Sequence, residues 1–230
     1  NQSFKVMKNL AVYGKDGTLY FVPRTMEKYR VMKNCFIVHS GAFCGPCIEK
    51  VTFSDNSTVE FEKCAFAHST ALRRIQMPNS LRLIGDEAFI DCQSLEKVEF
   101  EPVTKLKEIP VFCFAFSGLK TIKLPISIEA IQNSSFYFCQ NLKSVNLADT
   151  NVKYIGDNAF LDTNLNEVKL PKSCRFVGKH AFAGSKLIRL IDLTKLARIK
   201  DTVQLPIVSF VRKLTKFNKK LSNAICKFVK

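Results

Sequence analysis

The chain lacks any apolar run near membrane length. Its longest largely apolar stretch, Val111 to Phe116, falls far short of the roughly 20 residues a spanning helix needs, so no transmembrane segment is expected. Histidine is scarce, and His39, His68 and His180 show no metal-ligand spacing, which leaves no zinc set to build. Acidic residues are few: 20 against 35 basic ones, for a formal net charge of +15 at pH 7. Such a balance favours an acidic partner, whether anionic membrane, nucleic acid, glycan or acidic protein surface. Nucleic-acid motifs are absent too, with no helix-turn-helix, paired aromatic or zinc-finger signature, so only unspecific phosphate attraction remains and no specific nucleic-acid partner is expected. The start, Asn1-Gln-Ser-Phe-Lys-Val, shows neither an initiator Met nor a signal-like apolar core; either something was trimmed or the true start lies elsewhere.

What is present is a core-forming composition and a repeat. The 230 residues are 47% hydrophobic, with mean hydropathy +0.01, far from a disordered composition. The phrase Ile84-Gly-Asp-Glu-Ala-Phe89 returns as Ile155-Gly-Asp-Asn-Ala-Phe160. Aligning on its last residue gives Phe43, Phe66, Phe89, Phe114, Phe136, Phe160 and Phe182, 22 to 25 residues apart. Five residues before each stands a core hydrophobe: Val38, Phe61, Ile84, Ile109, Ile131, Ile155 and Val177. The residue just before each Phe is small: Ala42, Ala65, Ala88, Cys113, Ser135, Ala159 and Ala181. A fixed interval of this length means an array of stacked coils.

After each Phe comes a short alternating segment such as Leu95-x-x-Val98-Glu-Phe100 or Leu119-x-x-Ile122-Lys-Leu124, often closed by a Pro: Pro78, Pro125 or Pro171. Period-2 alternation predicts one short strand per repeat, and strands stacked at this period must run parallel. The Ala-Phe segment between strands is one to two helical turns long, so a short helix or 3-10 piece is expected there.

The pattern Leu-x-x-Val/Ile-x-Leu-Pro-x-Ser-Leu/Ile-x-x-Ile-Gly-x-x-Ala-Phe-x-x-Cys resembles the BspA-like, or treponemal-type, leucine-rich repeats. The opening Val12-Tyr-Gly-Lys-Asp-Gly-Thr-Leu-Tyr-Phe-Val-Pro23 is similar to a hairpin insert common in that family. The resemblance covers about residues 10 to 193. It implies an α/β, right-handed, curved solenoid used for binding, frequently at cell surfaces and in adhesion, without enzymatic activity or a cofactor. It implies no single ligand.

After Leu193 the pattern decays: Ile199-Lys-Asp-Thr-Val203 echoes the phrase, but Gln204 takes the core Phe slot. Residues 205–230 carry no acidic residue, and a 100° wheel gathers Phe210, Leu214, Phe217, Leu221 and Ile225 on one side of Arg212, Lys213, Lys216, Lys219, Lys220, Lys227 and Lys230. The expected organisation is an N-terminal hairpin-like cap or partial repeat over 1–34, a solenoid over 35–204, and a basic amphipathic helix over 205–230. That helix could cap the last coil, dock in a partner groove or lie on an anionic membrane.

Cys44-Gly-Pro-Cys47 matches the thioredoxin tetrapeptide, but that chemistry needs a strand feeding a long helix, which the repeat does not offer. A thiol oxidoreductase is therefore the distant alternative, and a chance match the main reading. The nine cysteines fall into repeat slots: Cys92 and Cys139 share a position with Ser69, Ser117, Thr163 and Ser185. Small buried thiols fit that placement better than disulfides do. They favour an intracellular or anaerobic setting, against the surface association implied by the resemblance.

The strand residues pointing away from the core should line the concave face: Lys50, Arg74, Gln76, Lys97, Glu99, Lys123, Asn146 and Lys169. The expectation is a non-catalytic scaffold binding a protein, acidic in character, or possibly a glycan, through this face and the basic end. The alternative is an intracellular structural protein bound to an acidic assembly such as a microtubule.

Overall fold

A computed structural model describes residues 4–45, 47–101 and 104–185. The repeat folds as a stack of coils whose short strands build two hydrogen-bonded ladders. The first ladder starts from an antiparallel meander, β1 (Phe4–Val6), β2 (Val12–Gly14) and β3 (Thr18–Phe21). From β3 the pairing turns parallel through β5 (Ile37–Val38), β7 (Glu60–Phe61) and β9 (Leu83–Ile84). It resumes as β11 (Glu108–Ile109), β13 (Ala130–Ile131), β15 (Tyr154–Ile155) and β16 (Phe176–Val177). The second ladder is β4 (Lys28–Val31), β6 (Lys50–Phe53), β8 (Arg74–Gln76) and β10 (Lys97–Glu99), followed by the pair β12 (Thr121–Ile122) and β14 (Ser144–Val145).

Two features differ from the sequence-based expectation. Most repeats have two short strands where one was predicted, because the hydrophobe before each Phe lies in extended pairing of its own: Ile131 is in register with Ile109 and Ile155; the strand expected over 165–170 does not form. And the Ala-Phe segment is not helical. Among the described residues the one helical element is a 3-10 turn, Leu147–Asp149, and the architecture is a β-solenoid and not α/β.

Hydrogen-bond competition explains the missing helix. An α-helix commits every backbone N–H to its own carbonyls, whereas here alternate N–H groups donate to the following coil. Glu87, Phe89 and Asp91 donate to the carbonyls of Val111, Cys113 and Ala115, at 2.9 Å each. The N–H groups between them close tight turns, as Ala88 does on Gly85 and Ile90 on Glu87. Glu87 at φ 60° and Asp91 at φ 58° take the left-handed conformation that such turns require and a right-handed helix forbids. A third ladder, built from turns, thus joins the coils along the Phe side.

The three ladders enclose the core. Phe61, Phe66, Phe89, Phe114, Phe136 and Phe160 are fully buried. The repeat-marking rings stack from Phe43 to Phe182, with centroids 4.7 to 5.5 Å apart and planes within 17° of parallel. That separation is close to the roughly 4.7–4.9 Å between paired strands. Behind three of the rings the small polar slot feeds the previous coil: Ser69 Oγ donates to the Phe43 carbonyl at 2.7 Å, Cys92 Sγ to that of Phe66 at 3.1 Å, and Cys139 Sγ to that of Phe114 at 3.0 Å. These cysteines serve as donors as well as small buried groups.

The 25-residue coil from Phe89 to Phe114 holds more chain than its neighbours, and there the first ladder breaks between β9 and β11. Thr104 Oγ1 bridges the gap by donating to the Leu81 carbonyl at 3.2 Å. No helix among the described residues is long and apolar enough to cross a membrane. The expected helix over 205–230 and the degraded repeat ending at Gln204 lie outside the described residues.

Candidate binding surface

Alternation on the second ladder decides what faces solvent. In β4, Tyr29 and Val31 are buried while Lys28 and Arg30 are exposed; in β8, Ile75 is buried while Arg74 and Gln76 are exposed. Parallel pairing without slippage then puts equivalent residues side by side. Lys28 pairs with Lys50, Lys50 with Arg74, and Arg74 with Lys97. Four exposed cations thus form one row across adjacent strands, about 14 Å from end to end at the usual strand spacing. Like charges placed opposite one another on a sheet are destabilising, so fold stability does not account for the row.

Lys97 is the member with an ion-pair partner, Glu99 two residues on. The Lys97 hydrogen bond, with the charges of Lys97 and Arg74 adding to it, holds the Glu99 carboxyl below its ordinary range. Lys28, Lys50 and Arg74 have no carboxylate within ion-pair distance among the described residues. In the adjacent row Arg30 pairs with Thr52 and Gln76 with Glu99. Arg30 Nε donates to Ser54 Oγ at 3.1 Å, and Gln76 Nε2 donates to Glu101 at 2.9 Å.

The remaining expected positions divide. Lys123 and Lys169 are exposed, with Lys169 3.5 Å from Glu167. Asn146 is committed to its own fold: it accepts from the Leu124 N–H at 2.7 Å and donates to the Leu124 carbonyl at 3.0 Å, tying two coils where β14 gives way to the 3-10 turn. Arg212, Lys213, Lys216, Lys219, Lys220 and Lys227 lie outside the described residues. Lys28 and Arg30 were absent from the sequence-derived set because they precede the first legible repeat. Their signal was the alternation Lys28-Tyr-Arg-Val31, 22 residues before Lys50.

Cys44 and Cys47 lie beside Val22, Met26 and Ile48, with Cys47 exposed and Cys44 half-buried. Among the described residues no helix starts beside this pair, so the context that gives such a tetrapeptide redox chemistry is missing. Among the described residues no three His, Cys, Asp or Glu side chains gather as a metal set.

A second unusual surface lies on the Phe side. Phe112, Phe116, Tyr137 and Phe138 are partly exposed and touch one another, with ring centroids 5.4 to 6.3 Å apart. Phe112, Phe116 and Phe138 sit at φ 51°, 59° and 59°, in turn slots that other coils fill with Gly184, His68, Asp91, Asn158 or Asp162. A left-handed backbone costs a bulky residue about 1–2 kcal/mol, while an aromatic pair returns about 0.5–1.5 kcal/mol. The effects nearly cancel, so stability does not select phenylalanine here.

No curated protein matches the chain. Among solved structures, a leucine-rich repeat protein from Eubacterium ventriosum superposes with a TM-score of 0.72 at 24% identity, over 84% of this chain and 52% of the other. The chain thus spans about half the length of that relative. A leucine-rich repeat protein from Treponema pallidum gives 0.52 at 20% identity over 87% and 94% of the two chains. The pneumococcal vaccine antigen PcpA gives 0.50 at 20% identity over 80% and 48%. At these identities the likeness is one of fold. Six copies of the BspA type leucine-rich repeat match residues 59–189, and with the period, the stacked Phe row and the parallel ladders they show that the chain belongs to the BspA type leucine-rich repeat family.

Proposed function

We propose that this protein is a non-catalytic scaffold that binds an acidic segment of a partner protein along the second-ladder face. The observation that carries the reading is the row Lys28, Lys50, Arg74 and Lys97, whose mutual repulsion is relieved when an anionic chain lies across it. Repeat proteins of this kind present extended faces for binding. The tail cations from Arg212 to Lys230 supply a second basic stretch for the same partner, for an anionic membrane surface or for a partner groove. By family resemblance the setting is adhesion at a cell surface. The isolated buried thiols Cys92, Cys113 and Cys139 favour an intracellular acidic assembly as the second reading; fractionation of native cells separates the two.

The test is fluorescence anisotropy with a labelled oligoglutamate peptide. Reversing Lys28, Lys50 and Arg74 to Glu is expected to weaken binding at least tenfold without lowering Tm, and binding should fall steeply between 50 and 300 mM salt, as screening requires. Equal binding by wild type and the triple variant would sink the proposal.

A further inference from the structure

The cation row leaves the aromatic group on the Phe side unexplained. Phe116 and Phe138 stand in the same slot of consecutive coils, two residues after the core rings Phe114 and Phe136, with centroids 5.7 Å apart and planes at 41°. They wall an open cavity of about 240 Å³ whose other walls are polar: Asp91, Gln93, Gln140 and Asn141. Gly118 keeps its floor low, since a Cβ there would fall 2.1 Å from the Gln93 carbonyl oxygen.

The polar groups are partly arranged. Asp91 Oδ1 accepts from Gln93 Nε2 at 2.9 Å, and Asp91 Oδ2 meets His68 Nδ1 at 3.0 Å. This orients Gln93 with its amide oxygen unused. The Gln140 and Asn141 side chains have no protein partner among the described residues. Flat apolar rings beside free amides and one carboxylate suit a ligand with an apolar face and a rim of hydroxyls. Asp91 and the lack of any cation in the wall disfavour an anionic ligand. The volume lies below the roughly 300–1,000 Å³ of sites for drug-sized molecules, which leaves room for a small ring.

We propose that Phe116, Phe138, Gln93, Gln140 and Asn141 form a subsite for one neutral pyranose unit. The sugar's C–H face lies on the rings and its vicinal hydroxyls meet the amides. This site is independent of the cation row, so either can fail alone.

Saturation-transfer NMR with methyl glucosides, methyl galactosides, methyl N-acetylglucosaminide, lactose and cellobiose tests it. Transfer to the ring protons of at least one probe is expected, insensitive to salt and unchanged by the Lys28, Lys50 and Arg74 reversals. It should be lost in Phe116→Asn/Phe138→Asn, whose Tm should hold or rise because Asn tolerates the left-handed backbone. The exposed pair Gln140→Ala/Asn141→Ala, which leaves the rings in place, should cut the transfer at least fivefold. Absence of transfer from every probe, or transfer surviving in either variant, overturns the proposal.

Discussion

The rings of Phe136 and Phe160 lie face to face, with centroids 4.9 Å apart and planes 4° from parallel. One spacing therefore satisfies ring contact and coil-to-coil hydrogen bonding together: Phe136 N donates to the Ala159 carbonyl at 2.8 Å. Phe136→Ala should open a cavity between two neighbouring rings and destabilise the protein by about 3–5 kcal/mol, with Phe136→Leu costing clearly less. Urea denaturation measures both, and a near-neutral Phe136→Ala would contradict a continuous stack.

A buried carbonyl without a donor is costly, and among the described residues it is Ser69 that donates to the Phe43 carbonyl. Ser69→Ala should cost about 1–3 kcal/mol. Ser69→Cys should be milder, because Cys92 and Cys139 already do this work in their own coils. Equal losses in the two variants would show that volume, and not the donor, matters in this slot.

Glu129 accepts hydrogen bonds from Lys107 at 2.7 Å and Lys153 at 2.6 Å, linking three coils across the surface. Those bonds, with the two lysine charges adding, bring its carboxyl down to about 2 from an ordinary 4.5. A depressed carboxyl contributes fully above its unfolded value and loses that contribution as pH falls through its folded one. Wild type should therefore melt higher than Glu129→Gln at pH 6, with the gap closing between pH 4.5 and 2. The group is exposed, so a small gap is expected; a gap that persists at pH 2 would contradict the assignment.

Thiol chemistry should follow burial. Cys92, Cys113 and Cys139 are fully buried, and burial pushes their thiols up, that of Cys139 to about 11; Cys35, nearly as buried, is pushed to about 12. Iodoacetamide at pH 8 followed by peptide mapping should label exposed Cys47 first and half-buried Cys44 after it, leaving these four until urea is added. Rapid native labelling of Cys113 would mean that its coil opens.

Much of the fold was legible because burial leaves a local trace. Ile84, Ala88 and Phe89 repeat at coil period, and each proved to be core. The Ala-Phe segment misled because its length fits a helix, while the fate of its N–H groups depends on a neighbouring coil 22 to 25 residues away. The exposed positions Lys50, Arg74 and Lys97 follow clear alternation in the sequence, whereas nothing along the chain reveals that Asn146 spends both ends of its amide on Leu124, 22 residues away. Phe112, Phe116 and Phe138 read as ordinary hydrophobes, since nothing in composition reveals the sign of φ.

By itself, the sequence determined the period, the rows of core residues and the excess of positive charge, all of which follow from residue type and spacing along one chain. The tertiary structure alone decided which surface groups become neighbours. Lys28 meets Lys50 and Phe116 meets Phe138 because coils stacked at hydrogen-bonding distance bring residues some 22 positions apart into contact.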